Sequence, residues 1–353
     1  MKSALQERPG CPTPEAPNVG KKRRPLSREE YLDGILRGDR SVLARAVTLI
    51  ESAREADREL AEQIIENCLP HSGHSIRVGI TGVPGAGKST LIEALGRYLV
   101  AVQKQKVAVL AVDPSSQLSG GSILGDKTRM TTLAASEMAF IRPSPSRGIA
   151  GGVAQRTREA MLLCEAAGFS NIFVETIGVG QSETAVHEMV DFFLLITLAG
   201  AGDELQGIKR GVMELADLVA VNKADGANMA AAERARAEAQ NALHFFPAAE
   251  SGWTPRATTC SALTGAGISE LWGFVLEYTA LTKANGSFAR TRRMQQKQWM
   301  HEMIEQALRQ RFDANPAVRH SMAALERDVA EGRTTSFRAA RMLLEMYSRA
   351  VPE

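Results

Sequence analysis

Gly82-Val83-Pro84-Gly85-Ala86-Gly87-Lys88-Ser89 is a complete G-x-x-x-x-G-K-[ST] loop, and it follows directly on the apolar run 76–81. Glycines at these spacings let successive backbone amides turn toward a di- or triphosphate. Lys88 can then place its ammonium on the outer phosphates, and the Ser89 hydroxyl can bind Mg²⁺. Downstream, Leu91, Leu95, Tyr98, Leu99 and Val102 recur at helical spacing, so Thr90 opens a helix whose N-terminus also faces the anion. A strand before the loop and a helix behind it separate a phosphate loop from a chance match. These residues predict a nucleoside triphosphate site.

The base is read farther along. The apolar run 217–221 ends in Asn222-Lys223-Ala224-Asp225, an N-K-x-D element. A carboxylate at Asp225 can accept hydrogen bonds from both N1–H and the 2-amino group of guanine, an edge that adenine does not present. Asn222 would tie neighbouring loops together, and the stem of Lys223 would cover the base. Ser261-Ala262-Leu263 forms an S-A-[LK] turn whose backbone amides can meet the guanine O6. The pattern predicts GTP rather than ATP.

Between these two motifs lie the segments that would respond to the γ-phosphate. The strand-like run 107–112 closes on Asp113-Pro114-Ser115-Ser116, and Gly125-Asp126-Lys127 follows. Asp113 and Asp126 are hard oxygen donors that suit Mg²⁺. The run 171–174 leads into Glu175-Thr176-Ile177-Gly178-Val179-Gly180-Gln181, where most GTPases carry D-x-x-G. Glu175 can still hold the metal through water, the Gly178 amide can sense the γ-phosphate, and Gln181 is the candidate for positioning the attacking water.

Taken in order, GVPGAGKST, DPSS, GGSILGDKTRM, VETIGVGQSE, GDELQGIKRG, NKAD and CSALTG make the chain resemble the methylmalonyl-CoA mutase-associated GTPases, the MeaB or ArgK type of the SIMIBI class. The resemblance covers about residues 76–285 and includes Glu175 in place of the usual aspartate. It implies a P-loop GTPase that serves as G-protein chaperone of an adenosylcobalamin-dependent acyl-CoA mutase. Such a protein gates cofactor delivery or removal and protects the mutase from inactivation, hydrolysing GTP slowly until the partner engages. By position, Lys88, Ser89, Asp113, Asp126 and Glu175 would form the phosphate and Mg²⁺ site. Asp203, Glu204, Gln206 and Lys209 would form a third switch that couples to the mutase, with Lys209 also acting in catalysis. The implied partners are the mutase, its adenosyltransferase as a further candidate, and a second copy of the chain.

Global properties agree with a cytoplasmic protein of this kind. Forty-two basic against 40 acidic residues leave a net charge of +2 in 353 residues, which gives no strong field for nucleic acid or an anionic membrane. The longest nearly charge-free apolar run, 192–202, falls short of the roughly 20 residues that a membrane span needs. Cys11, Cys68, Cys164 and Cys260 are far apart and read as reduced thiols.

Apolar runs at 76–81, 107–112, 138–142, 171–175, 191–198, 218–222 and 256–260 alternate with helical stretches. That alternation predicts a mostly parallel sheet covered by helices on both faces, with ligand loops at the strand C-terminal ends. Around a G domain at 74–285, the reading places a Pro-rich, basic, disordered tail at 1–25 and an N-terminal helical segment at 26–73. A helical extension at 286–353 completes the chain. Its stripes are Met300/Met303/Ile304/Ala307/Leu308/Phe312, Val318/Met322/Leu325/Val329 and Phe337/Ala340/Leu344/Tyr347. Near-heptad spacing suits helix-to-helix packing, and the resemblance makes the extension a dimerisation arm. The competing class is a nickel-insertion GTPase of hydrogenase or urease maturation, but the Cys and His ligands it requires have only the isolated Cys164 and His187 here. A kinase acting on a transport protein is a third reading, for which no acceptor cleft or base is visible.

Overall fold

The computed structural model describes residues 24–52, 54–112, 130–143, 150–176, 182–200, 210–247 and 249–350. Seven strands are present: β1 (Ile76–Gly82), β2 (Val107–Val112), β3 (Ala139–Arg142), β4 (Asn171–Thr176), β5 (Phe192–Leu198), β6 (Leu218–Asn222) and β7 (Arg256–Thr259). They form one sheet in the order β3-β2-β4-β1-β5-β6-β7, with every pairing parallel. Crossovers between parallel strands put helices on both faces, and strands such as β2 and β4 are buried along their whole length. That double burial is why they read in sequence as continuous apolar runs.

The first layer contains α1 (Arg28–Leu36), α2 (Arg40–Ile50) and α3 (Glu55–Cys68). Ser27 and Glu30 close a capping box on α1, and the Asp39 carboxylate caps α2. Through Ile35, Leu43, Val47 and Ile64 these helices share a core with α6 (Ala150–Ala166) and α7 (Ser182–His187) on one sheet face. On the other face Leu91, Leu95 and Leu99 of α4 (Lys88–Ala101) meet Leu271, Trp272 and Val275 of α10 (Ile268–Ala284). That core also takes residues from α5 (Thr131–Ala135), α8 (Arg210–Glu214) and α9 (Met229–Leu243).

The opposite end of the sheet from the phosphate loop is fixed by buried charge. Arg77 makes a two-pronged pair with Glu165, Nε to Oε1 and Nη2 to Oε2 at 2.9 Å each. Ser75 Oγ and the Gly73 amide also donate to this carboxylate. Burial works to raise the Glu165 carboxyl, but Arg77 and these donors outweigh it and hold the group below its ordinary 4.5. Its stabilising contribution is therefore complete above about pH 4.5 and is lost as the pH falls through the depressed native value. Arg77→Met, which strands the carboxylate, should cost about 3–5 kcal/mol in urea unfolding near neutral pH. A loss under about 1 kcal/mol would show that the pair does not hold the sheet.

The C-terminal arm starts from the same end. α11 (Ser287–Ala314) is about 42 Å long by its 28 residues, and it precedes the hairpin of α12 (Pro316–Ala330) and α13 (Ser336–Ala350). Arg292 reaches Asp191 through Nε and Nη2, both at 2.7 Å. Gln295 Nε2 donates to the Val190 carbonyl at 2.8 Å, and Trp299 Nε1 to that of Glu188 at 3.3 Å. Beyond Trp299 the side chains of Met300, Met303, Ile304 and Leu308 are about half exposed. The α12 stripe is buried as expected at Val318 and Leu325. On α13 the expected stripe is corrected: Phe337 and Leu344 are exposed, and Ala339 and Leu343 are buried instead. The helix packs through Ala339, Met342, Leu343 and Tyr347 in a cluster with Val318 and Leu325 of α12 and Phe312 of α11, so of the expected stripe only Tyr347 is engaged.

Candidate nucleotide site

The phosphate loop springs from β1 under tight steric constraint. A Cβ on Gly82 would fall 2.1 Å from the Ile196 carbonyl oxygen, and its φ of +151° is one that L side chains rarely adopt. Gly87, at φ +86°, caps α4 with no side-chain hydrogen bond to the first-turn amides. Here a Cβ would lie 2.8 Å from Asn222 Nδ2, so glycine is what lets the base-site loop close onto the phosphate loop. Within that loop Val83 and Ala86 are buried, whereas Pro84, Gly85 and Thr90 are exposed.

Lys88 lies across the loop mouth, its Nζ donating to the Gly82 carbonyl at 2.8 Å and the Val83 carbonyl at 3.4 Å. Burial pushes its ammonium below the ordinary lysine range, while the Glu175 and Glu183 carboxylates pull the other way. Glu183 had no role in the sequence reading. It is buried in the first turn of α7, eight residues past Glu175 in the same motif. On the other side of the loop, Ser89 Oγ donates to Glu175 Oε1 at 3.0 Å. A hydroxyl and a carboxylate at this separation are hard oxygen donors that fit Mg²⁺. Of the remaining expected site residues, Asp113, Asp126, Gln181, Asp203, Glu204, Gln206 and Lys209 lie outside the described residues.

The base-site motifs converge at the ends of β6 and β7. Asn222 is fully buried and bridges three segments, with Nδ2 donating to the Ala86 carbonyl at 2.8 Å. Its Oδ1 accepts from the Ala262 amide at 3.1 Å. Ser261 Oγ donates to Asp225 Oδ2 in a short hydrogen bond, and itself accepts from the Thr264 amide at 3.1 Å. Lys223 sits at φ +60°, an uncommon conformation for a non-glycine residue. The bonds from the Ala224 amide to the Cys260 carbonyl and from Asn228 Nδ2 to the Lys223 carbonyl hold it there. Strain held by its surroundings is common where a loop must meet a ligand. Leu263 is exposed at the tip of the turn. Cys260 is buried behind it, and burial pushes its thiol up to about 12, so it acts as packing and not as a nucleophile.

The family model described as methylmalonyl Co-A mutase-associated GTPase MeaB matches residues 43–317. The chain belongs to the MeaB family. It is 51% identical over 313 residues to a Caulobacter vibrioides protein, covering 89% of this chain and 95% of that one. The Escherichia coli GTPase ArgK is 47% identical over 286 residues, covering 81% of this chain and 86% of its own. The mouse methylmalonic aciduria type A homolog, mitochondrial, is 43% identical over 324 residues, covering 89% and 78% respectively. A crystal structure of LAO/AO transport system kinase superimposes with a TM-score of 0.73 at 38% identity, covering 91% of this chain and 97% of that chain. The MeaB match spans the phosphate loop, the base site and the first half of the arm. No described helix is long and apolar enough to cross a membrane.

Proposed function

We propose that this MeaB-family GTPase hydrolyses GTP with Mg²⁺ as the accessory G protein of an adenosylcobalamin-dependent acyl-CoA mutase. It gates cofactor delivery or removal and protects the mutase from inactivation. The observation that carries the nucleotide chemistry is the Asn222 bridge, which ties the phosphate loop at Ala86 to the base-reading turn at Ala262. That tie supports a triphosphate site and a guanine site built as one unit. The mutase partnership rests on the family match and on the mouse relative's name.

Each residue has a distinct task in this reading. Lys88 brings its ammonium to the charge that develops on the β–γ bridging oxygen, and the Glu175 and Glu183 carboxylates favour its charged form against burial. Ser89 and Glu175, joined by Asp113 and Asp126, would hold Mg²⁺, which neutralises phosphate charge. Asp225 reads the guanine edge while Ser261 fixes the carboxylate's orientation. The Ala262 amide is engaged with Asn222, so O6 recognition falls to the other amides of that turn. Gln181 would position the attacking water. Asp203, Glu204, Gln206 and Lys209 would carry the nucleotide state to the mutase. The half-exposed stripe Met300, Met303, Ile304 and Leu308 suits a homodimer contact through the arm.

The test is multiple-turnover GTP hydrolysis with and without candidate acyl-CoA mutases. The cognate mutase should raise the rate at least about tenfold, because partners that complete a GTPase site elsewhere act by about 10³–10⁵. Lys209→Ala should lose most of the stimulation and bind GDP as the native protein does. Full stimulation of that variant would remove Lys209 from the coupling. No response of the native protein to any acyl-CoA mutase would end the partnership.

A further inference from the structure

Two consecutive residues of β4 bind the phosphate-loop unit from opposite faces of the sheet. Glu175 pairs in register with Ile80 and turns toward α4, where it meets Ser89. Thr176 turns to the other face, and its Oγ1 donates to Thr81 Oγ1 at 2.8 Å. Both threonines are buried, at 0% and 2% exposure. Thr81 is the last residue before Gly82, and Thr176 is the last described residue before 177–181. The positions two residues earlier on this face are Gly79 and Val174, and a Cβ on Gly79 would meet Val186 and Val190. One step back along this face the neighbours are the apolar Val186, Val190 and Phe193, and valine matches threonine closely in volume. What the threonines add is direction, since one hydroxyl–hydroxyl bond fixes the separation of two strand ends.

We propose that Thr176, through its hydrogen bond to Thr81, is a positioning residue for hydrolysis. It holds the strand end that carries Glu175 at a fixed distance from the phosphate loop. Neither threonine touches nucleotide in this scheme. Ground-state binding rests on the loop amides, Lys88 and Asp225, and it does not need the tie. Turnover does, because misplacement of reacting groups by a fraction of an ångström is costly in rate.

The inference rests on the GTPase reading, and a double-mutant cycle on the full chain separates the two. Native protein, Thr176→Val, Thr81→Val, the double variant and Thr176→Ser are compared in kcat and KM for GTP, in mant-GDP affinity and in Tm. Each valine variant should lower kcat about tenfold with KM and GDP affinity within about twofold of native. The double variant should be no slower than either single one, because the two hydroxyls act as one unit. Thr176→Ser should restore kcat to within about twofold. A purely structural pair would couple in Tm and leave kcat untouched, and that result would overturn the proposal. Multiplying losses in the double variant would overturn it too. If Thr176→Val does not fold, Thr81→Val carries the same comparison, since it removes only the acceptor. A native chain that binds mant-GDP but does not turn over GTP would defeat the hydrolysis reading itself, whereas native turnover matched by the valine variants defeats only this inference.

Discussion

Replacing Lys88 by alanine is expected to lower GTP turnover by about 10²-fold or more while leaving the fold in place. In the native loop the ammonium is already held at the mouth by the Gly82 carbonyl. That places the charge beside the proposed phosphate site, where electrostatic stabilisation of the developing oxyanion acts. Burial lowers the Lys88 pKa from the ordinary lysine range, and the charges of Glu175 and Glu183 act in the opposite direction. Loss of a loop side chain removes little core packing, because the sheet and α4 are held by Val78, Ile80, Leu91 and Leu95. Steady-state hydrolysis at saturating GTP, with Tm as a control on folding, measures both parts. Turnover at the native rate would show that this loop is not the catalytic one.

Asp225→Asn should weaken GTP binding by about 10²-fold or more and shift preference toward xanthine nucleotides. Two charge-assisted hydrogen bonds to the guanine edge, each contributing about 1.5–3 kcal/mol, set that scale. An amide at this position presents a donor where guanine also has one, whereas the 2-oxo group of xanthine accepts it. The Ser261 hydroxyl, which now donates to the carboxylate, can donate equally to an amide oxygen, so the side chain keeps its orientation. Competition titrations of GTP, XTP and ATP against mant-GDP provide the readout. Equal affinity of the native chain for ATP and GTP would contradict guanine selection altogether.

How much of this was legible in the chain depended on the range of the interaction. Strands buried on both faces show themselves as apolar runs, so β2, at residues 107–112, was found residue for residue. Asp191 was assigned to β5 in sequence, yet the strand begins at Phe192, because the Asp191 carboxylate serves Arg292 and the Arg77 amide. Loop motifs with fixed local spacing pointed to Lys88, Ser89, Asn222, Asp225 and Ser261, which the structure gathers where β1, β6 and β7 end. The features missed are contacts between residues distant in sequence, such as Arg77 with Glu165 and Thr81 with Thr176. No periodicity encodes them, since each partner alone looks like an ordinary strand or helix residue. The face of α13 was misread for a related reason. Phe337 and Leu344 make as good a stripe as Ala339 and Leu343, and the partners that bury the latter, Val318 and Leu325 of α12 with Phe312 of α11, lie on other helices.

The grip of α11 on the four-residue turn from Glu188 to Asp191 means that the arm is not a detachable handle. Cutting the chain at Gly286 would strip the guanidinium from Asp191 and the caps from the Val190 and Glu188 carbonyls, at the foot of β5. The proposed contact between two copies is better tested by placing charge on the half-exposed Met303 and Ile304, which leaves that foot intact. The same constraint bears on descent. A lineage could shorten or re-aim the outer half of the arm freely, but to discard its first three turns it would have to rebuild the base of the sheet.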